Sequence, residues 1–148
     1  MMSRAGGVMD MFMRAGAFQE RELRIPADLS MLCDAREWAA RAAADFGLQE
    51  EERFQVRLAT SEAVTNAIVH GSVGGADAVV LGAREDQGAL VFEVRDAGAA
   101  APSPGRAQRL SEGGRGLALV SLIMDEVELE RRADGSVLRY AKRPAAAA

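Results

Sequence analysis

One stretch of the chain, residues 61–71, has the composition of a buried helix but carries three regularly spaced polar side chains. Glu62, Asn66 and His70 stand four residues apart among alanines and branched aliphatic residues. On an α-helix such residues lie above one another, so the three form a polar column beside an apolar side. A buried polar group without a partner costs about 1–3 kcal/mol, so the column needs partners. The stretch therefore predicts a core helix that presents a ligand or metal ion site at its edge.

Two more helices are expected. The first follows Asp28, a residue suited to cap a helix, and ends at Gly47, with apolar residues stepping by three and four between them. The other covers residues 116–124, with leucine, valine and methionine on one side. The helix that carries the polar column is expected to begin near Glu50 and to end at His70, where the following glycine stops it.

Alternation and turn residues predict strands over 21–25, 76–84, 89–96, 127–131 and 136–142. In the third of these, Asp96 falls on the same side as Phe92 and Val94, so its carboxylate faces the core and needs a donor. The order of elements predicts an α/β (α+β) two-layer sandwich with helices on one face of a mixed, mostly antiparallel sheet. Residues 1–20 read as an arm that is either loose or contacts a partner, 21–143 as one domain and 144–148 as a disordered tail.

Composition excludes several classes of function. The net charge of -4 and the scattered arginines give no broad basic field, which argues against direct nucleic-acid binding. No segment has the length and apolarity of a membrane span or signal peptide, so we expect a cytoplasmic protein. The single cysteine, Cys33, cannot form an internal disulfide, and we expect it to be a small buried hydrophobe.

The segment 97–114 is rich in glycine, proline and alanine and ends in a glycine cluster before the helix over 116–124. A loop of about 18 residues is longer than a compact domain usually holds, and mobile lids have this character. Backbone N–H groups at a helix start favour anions, so the glycines are compatible with a phosphate site. A flexible turn before a helix explains the same glycines, and the motif alone does not decide between the two readings.

Several motifs occur together in one order along the chain: the column Glu62/Asn66/His70, the triplet Asp96-Ala97-Gly98, the run Gly114-Arg115-Gly116-Leu117 and the pair Gly135-Ser136. In this order the sequence resembles the GHKL-type ATP-binding domains, and within them the RsbW-like anti-sigma-factor serine/threonine kinases. The resemblance spans about residues 21–142. It implies the Bergerat-type ATP-binding fold.

The resemblance also implies roles for single residues on the long helix and on the strand that ends at Asp96. Asn66 corresponds to the amide that binds Mg²⁺ on the ATP phosphates, and Glu62 to the base that takes the proton from the substrate hydroxyl. Asp96 corresponds to the acceptor for the adenine amino group, and Gly98 lets the base lie against the backbone. The other nucleotide-binding positions implied by the family are Gly114, Arg115, Gly116, Leu117 and Ser136.

The family implies a homodimeric kinase that sequesters a sigma factor and phosphorylates a STAS-type anti-anti-sigma factor. The segment after Gly98 lacks a further nearby glycine, which motivates an alternative, an ATP-binding module that acts only by sequestration. A second alternative is the catalytic part of a histidine kinase, although the chain has no room for a phosphoacceptor helix pair. For His70 we favour a structural role, ending the helix and bonding the backbone, over direct nucleotide contact.

Overall fold

The computed structural model describes residues 18–73, 77–97, 115–132 and 135–145. Its strands are β1 (Arg21–Pro26), β2 (Ala78–Asp86), β3 (Ala89–Ala97), β4 (Glu126–Arg132) and β5 (Gly135–Lys142). They form one sheet in the order β1-β2-β3-β5-β4, and every described neighbouring pair is antiparallel. The predicted two-layer fold and five-stranded sheet are confirmed, but the sheet is not mixed as expected, since none of its described pairs is parallel. Its strands β3 and β5 carry part of the floor of the site described below.

The helices are α1 (Leu32–Phe46), α2 (Glu50–Val73) and α3 (Arg115–Ile123). Asp28 caps as expected, but its carboxylate accepts the Ser30 N–H at 2.9 Å and opens a 3-10 turn before α1 begins. The helix α1 ends at Gly47, which adopts a left-handed φ of 101°. The predicted end of α2 at His70 is wrong, because the helix continues to Val73. An interior glycine costs a helix only about 1 kcal/mol, which a helix of 24 residues tolerates.

Alanines dominate the contact between the helices and the sheet. The helix α1 buries Ala35, Ala39 and Ala42, and α2 buries Val56, Ala59 and Ala63 in the same core. Small side chains let both helices lie close to the sheet, where large residues of the strands fill the remaining space. On β3 the predicted inward residues Leu90, Phe92 and Val94 are all buried. Cys33 is exposed on α1, so the expectation that it is buried is wrong.

A buried polar contact ties the second helix to the sheet beneath it. Tyr140 of β5 and Thr60 of α2 are both buried and share a hydrogen bond of 2.8 Å between their hydroxyl groups. The Tyr140 ring also stacks on Phe92, with ring centroids 5.4 Å apart. Burial raises the pKa of Tyr140 well above its ordinary value of 10.0, only partly opposed by the hydrogen bond from Thr60. The phenol therefore stays neutral and fixes α2 over the centre of the sheet.

The opposite face of the sheet carries a cluster of charges, and no helix of the described residues covers it. Arg139 of β5 contacts Glu93 of β3 at 2.7 Å and Glu130 of β4 at 3.1 Å, and Arg84 contacts Glu93 from the other side. Burial alone would raise the pKa of Glu93, but Arg139 and then Arg84 lower it overall. These pairs cross four neighbouring strands and neutralise each other.

The hairpin of β2 and β3 closes with a short turn. Gln87 and Gly88 both have positive φ, 50° and 82°, as a two-residue type I′ turn requires. The four-residue link expected there is shorter because Glu85 and Asp86 still pair with β3. Residues 98–114, including the expected lid loop, lie outside the described residues. None of the helices in the described ranges is long and apolar enough to cross a membrane.

Candidate functional site

A cavity opens between α2, α3 and the strands β3, β5 and β4. Its walls are mainly apolar and come from all five elements: Ala63, Ala67, Val94, Leu117, Leu129 and Leu138. Five polar side chains also reach it: Asn66, His70, Asp96, Arg131 and Ser136. An apolar cleft with a few convergent polar groups is the usual form of a small-molecule site. Two members of the predicted polar column, Asn66 and His70, therefore meet the predicted inward aspartate in one place.

Asn66 occupies the wall that α2 contributes. Its Nδ2 atom is buried, and no described residue accepts a hydrogen bond from it. A buried donor without a partner costs about 1–3 kcal/mol, so the apo protein keeps this amide at a cost to its stability. An amide that only capped a helix or filled the core would have hydrogen-bond partners within the protein. The orphan donor, together with its place in the cavity wall, points to a ligand as the missing partner.

His70 and Glu62 flank Asn66 on the same helix, one turn to either side. His70 is exposed and lines the cavity. It does not end α2 as expected, because the helix continues to Val73. Glu62 is half-buried and does not line the cavity. Four residues of helix rise about 6 Å, so Glu62 stands about 6 Å along the helix axis from Asn66.

Asp96 and Ser136 form the polar end of the sheet floor. The Ser136 backbone N–H donates to Asp96 Oδ1 at 3.1 Å, across the junction of β3 and β5. This bond supplies the donor that the inward carboxylate was expected to need. The preceding residue, Gly135, has a φ of 137°, and a methyl group added there would lie 2.7 Å from the Asp96 carbonyl oxygen. Only glycine allows β5 to approach Asp96 this closely.

Leu117 of α3 is buried and lines the cavity. Arg115 and Gly116 are the first two residues of α3 and directly precede Leu117. Gly98 and Gly114 lie outside the described residues. Of the predicted site residues, the structure therefore brings Asn66, Asp96, Leu117 and Ser136 together around one cavity, whose lining does not include Glu62.

Arg131 is the cavity residue that the sequence analysis missed. It lies on β4 and pairs with Ser136 of β5, which puts both side chains on the same face of the sheet. The signal was present in the sequence, since Val127, Leu129 and Arg131 alternate and the first two pack against the core. An arginine following two inward aliphatic residues at this period faces inward as well. The floor thus carries a row of carboxylate, hydroxyl and guanidinium across three strands.

The side chains present fit a purine nucleotide. Asp96 offers an acceptor at the end of an apolar slot, as an exocyclic amino group needs, and Leu117 near the start of α3 lines the same space. For a metal, Asn66 offers one amide oxygen, and within the described ranges no group of three or more His, Cys, Asp or Glu side chains could hold an ion. One protein ligand suits Mg²⁺ that is held mainly by phosphates and water. The donor set therefore fits a magnesium nucleotide.

Comparison with known proteins agrees with this geometry. A sequence model of the histidine kinase-like ATPase domain matches residues 25–142, and the chain belongs to this family. The resemblance to GHKL-type ATP-binding domains expected from the motifs is confirmed, and the chain carries an ATP-binding domain.

Two particular relatives were found. The anti-sigma F factor of Halalkalibacterium halodurans is 34% identical over 88 residues, which cover 53% of this chain and 60% of that protein. The alignment thus spans less than two thirds of the relative's own length. The crystal structure of the RsbU and RsbW domains of Rv1364c from Mycobacterium tuberculosis matches with a TM-score of 0.61 and 22% identity, over 83% of this chain and 32% of that one. This second likeness shows the fold alone.

Proposed function

We propose that this protein is an anti-sigma factor with serine/threonine kinase activity, which binds Mg-ATP in the cavity between α2, α3 and the sheet. Membership of the ATPase family supports ATP as the ligand, and the similarity to an anti-sigma F factor supports the regulatory role. The single observation that carries the proposal is the orphan amide of Asn66 in the same cavity as Asp96. Both ends of a nucleotide thereby have a candidate contact.

In this proposal Asp96 accepts a hydrogen bond from the adenine amino group, and the base lies in the apolar slot under Leu117. The amide oxygen of Asn66 would be the protein ligand of Mg²⁺, which when bound neutralises charge on the phosphates. The buried Nδ2 of the same amide would donate a hydrogen bond to a phosphate oxygen. The first residues of α3, Arg115 and Gly116, offer backbone N–H groups to the phosphate chain. Gly98 and Gly114, outside the described residues, remain proposed contacts of the base and the phosphates.

Glu62 is the proposed catalytic base. It stands one turn before Asn66 and outside the cavity wall, where the hydroxyl of a protein substrate has access to it. The carboxylate takes the proton of a serine or threonine hydroxyl, and the hydroxyl oxygen forms a bond to the γ-phosphorus. The bond from that phosphorus to the bridging oxygen breaks, which releases ADP. The proposed substrate is a STAS-type anti-anti-sigma factor, and the proposed sequestered partner is a sigma factor bound by a homodimer.

The test is transfer of labelled γ-phosphate from Mg-ATP to purified STAS-domain proteins from the same organism. The wild type should label one of them, and Glu62→Gln should lose at least 100-fold in rate while it still binds ATP, because general bases contribute about 10²–10⁴-fold. The matched control is Glu51→Gln, an exposed glutamate in the first turn of the same helix. No labelling by a wild type that binds ATP and the sigma factor would refute the kinase and leave a sequestration module.

A further inference from the structure

Arg131 gives the cavity a charged side chain that no family motif in the chain accounts for. It lies on the sheet floor with Asp96 and Ser136, on three strands that are neighbours in the order β3, β5, β4. Two strand spacings, roughly 10 Å, separate the backbones of Asp96 and Arg131. Both side chains reach the cavity, so they bracket the apolar slot from opposite ends of one row.

We propose that Arg131 contacts the purine ring of the bound nucleotide and contributes to its affinity. This inference rests on the proposed function, since it takes the Asp96 end of the cavity as the base site. Arginine offers five N–H donors in a planar fork and no acceptor, and its plane stacks on aromatic rings. A purine offers both ring-nitrogen acceptors and a π face to such a group.

The position of Arg131 favours the base over the phosphates. Its strand partner is Ser136, whose backbone N–H holds the Asp96 carboxylate. The proposed metal and phosphate contacts, Asn66 and the start of α3, belong to the helical side of the cavity. Arg131 therefore belongs to the group of residues that surrounds the base.

Arg132 provides a matched control one residue along the same strand. Its side chain points to the opposite face of the sheet, where it pairs with Glu130 at 3.1 Å. The two arginines share the strand, the charge and a similar distance from the turn. They differ in which face of the sheet they occupy, and only Arg131 lines the cavity.

The experiment is calorimetric titration of wild type, Arg131→Met and Arg132→Met with ATP, ADP and adenosine, using displacement of ATP for the weaker ligands. We expect Arg131→Met to weaken all three ligands alike by about 5–20-fold, as loss of a charged hydrogen bond or stacking contact does. Arg132→Met should stay within about twofold of the wild type. A cooperative thermal unfolding transition shows that each apo variant is folded. If Arg131→Met does not fold, Arg131→Gln replaces it in the titrations.

If Arg131 acts only by orienting Asp96, the affinities of the variants differ from those expected for a direct contact. In a double-mutant cycle with Asp96→Asn, a direct contact loses its affinity in both backgrounds, whereas an arginine that only orients Asp96 has no further effect once that carboxylate is gone. The proposal is overturned by a loss that vanishes in the Asp96→Asn background, by one that grows with the number of phosphates, or by equal affinities of the two arginine variants. A wild type that binds no adenine nucleotide overturns the proposed function itself.

Discussion

Removing the amide of Asn66 should stabilise the apo protein and destabilise the nucleotide complex. In the apo protein, Asn66→Ala deletes a buried donor that lacks a partner, which is worth about 1–3 kcal/mol. The gain in helix propensity, up to about 0.7 kcal/mol, adds to this, and the lost packing of a half-buried side chain subtracts about 1 kcal/mol. We therefore expect the free energy of unfolding to rise by about 1–2 kcal/mol, which moves a urea midpoint up by about 0.5–1 M.

Saturating Mg-ATP should reverse this order. At a ligand concentration of 100 times its Kd, the wild type gains about 2.7 kcal/mol, whereas a variant that binds 100-fold more weakly gains about 0.4 kcal/mol. The control is Gln55→Ala on the same helix, which shares the gain in propensity but removes no orphan donor. The assay is urea unfolding followed by circular dichroism, with and without Mg-ATP. An Asn66→Ala protein that is less stable than the wild type in the apo state would show that the amide is satisfied and structural.

Three further predictions concern the fold around the site. Tyr140→Phe keeps the ring but leaves the Thr60 hydroxyl without its partner, so the free energy of unfolding should fall by about 1–2 kcal/mol. Because burial raises the pKa of Tyr140, wild-type stability should also fall as the pH rises above 10.0, and less so in this variant. Gly135→Ala should lower both stability and ATP affinity in calorimetric and unfolding titrations, whereas Gly88→Ala, where φ is positive but nothing lies within 4 Å, should lower stability alone. Because the pKa of Glu93 is lowered in the folded state, Glu93→Gln should reduce the loss of stability seen as the pH falls below 4.5.

The sequence predicted the sheet face of Asp96 correctly because strand geometry places every second residue on one face: Leu90, Phe92 and Val94 are inward, and the carboxylate follows in phase. It also predicted the turn-by-turn column on α2, since helical spacing depends only on local geometry. It misplaced the end of α2, because a glycine marks a helix end only when the chain turns there. It overlooked Arg131, because an arginine near a predicted hairpin reads as a surface residue until the register of β4 on β5 is known.

The position of His70 in the cavity wall also depends on tertiary contacts that the local sequence does not determine. The continuation of α2 beyond it leaves this side chain in the wall of the cavity rather than at a helix end. Which side of the column faces a ligand depends on how α2 crosses the sheet. That crossing is set by packing among alanines and by the Tyr140 contact with Thr60, neither of which the local sequence of α2 encodes.

Binding of ATP to Asp96→Asn, compared with wild type in the presence and absence of magnesium, tests the central claim most directly. The claim is that this carboxylate holds the base in the cavity that Asn66 also lines. Exchange of the acceptor for an amide should weaken ATP by about 10–100-fold, equivalent to about 1.4–2.8 kcal/mol, to the same extent with and without the metal. Undiminished affinity of the Asp96→Asn protein for ATP would contradict it.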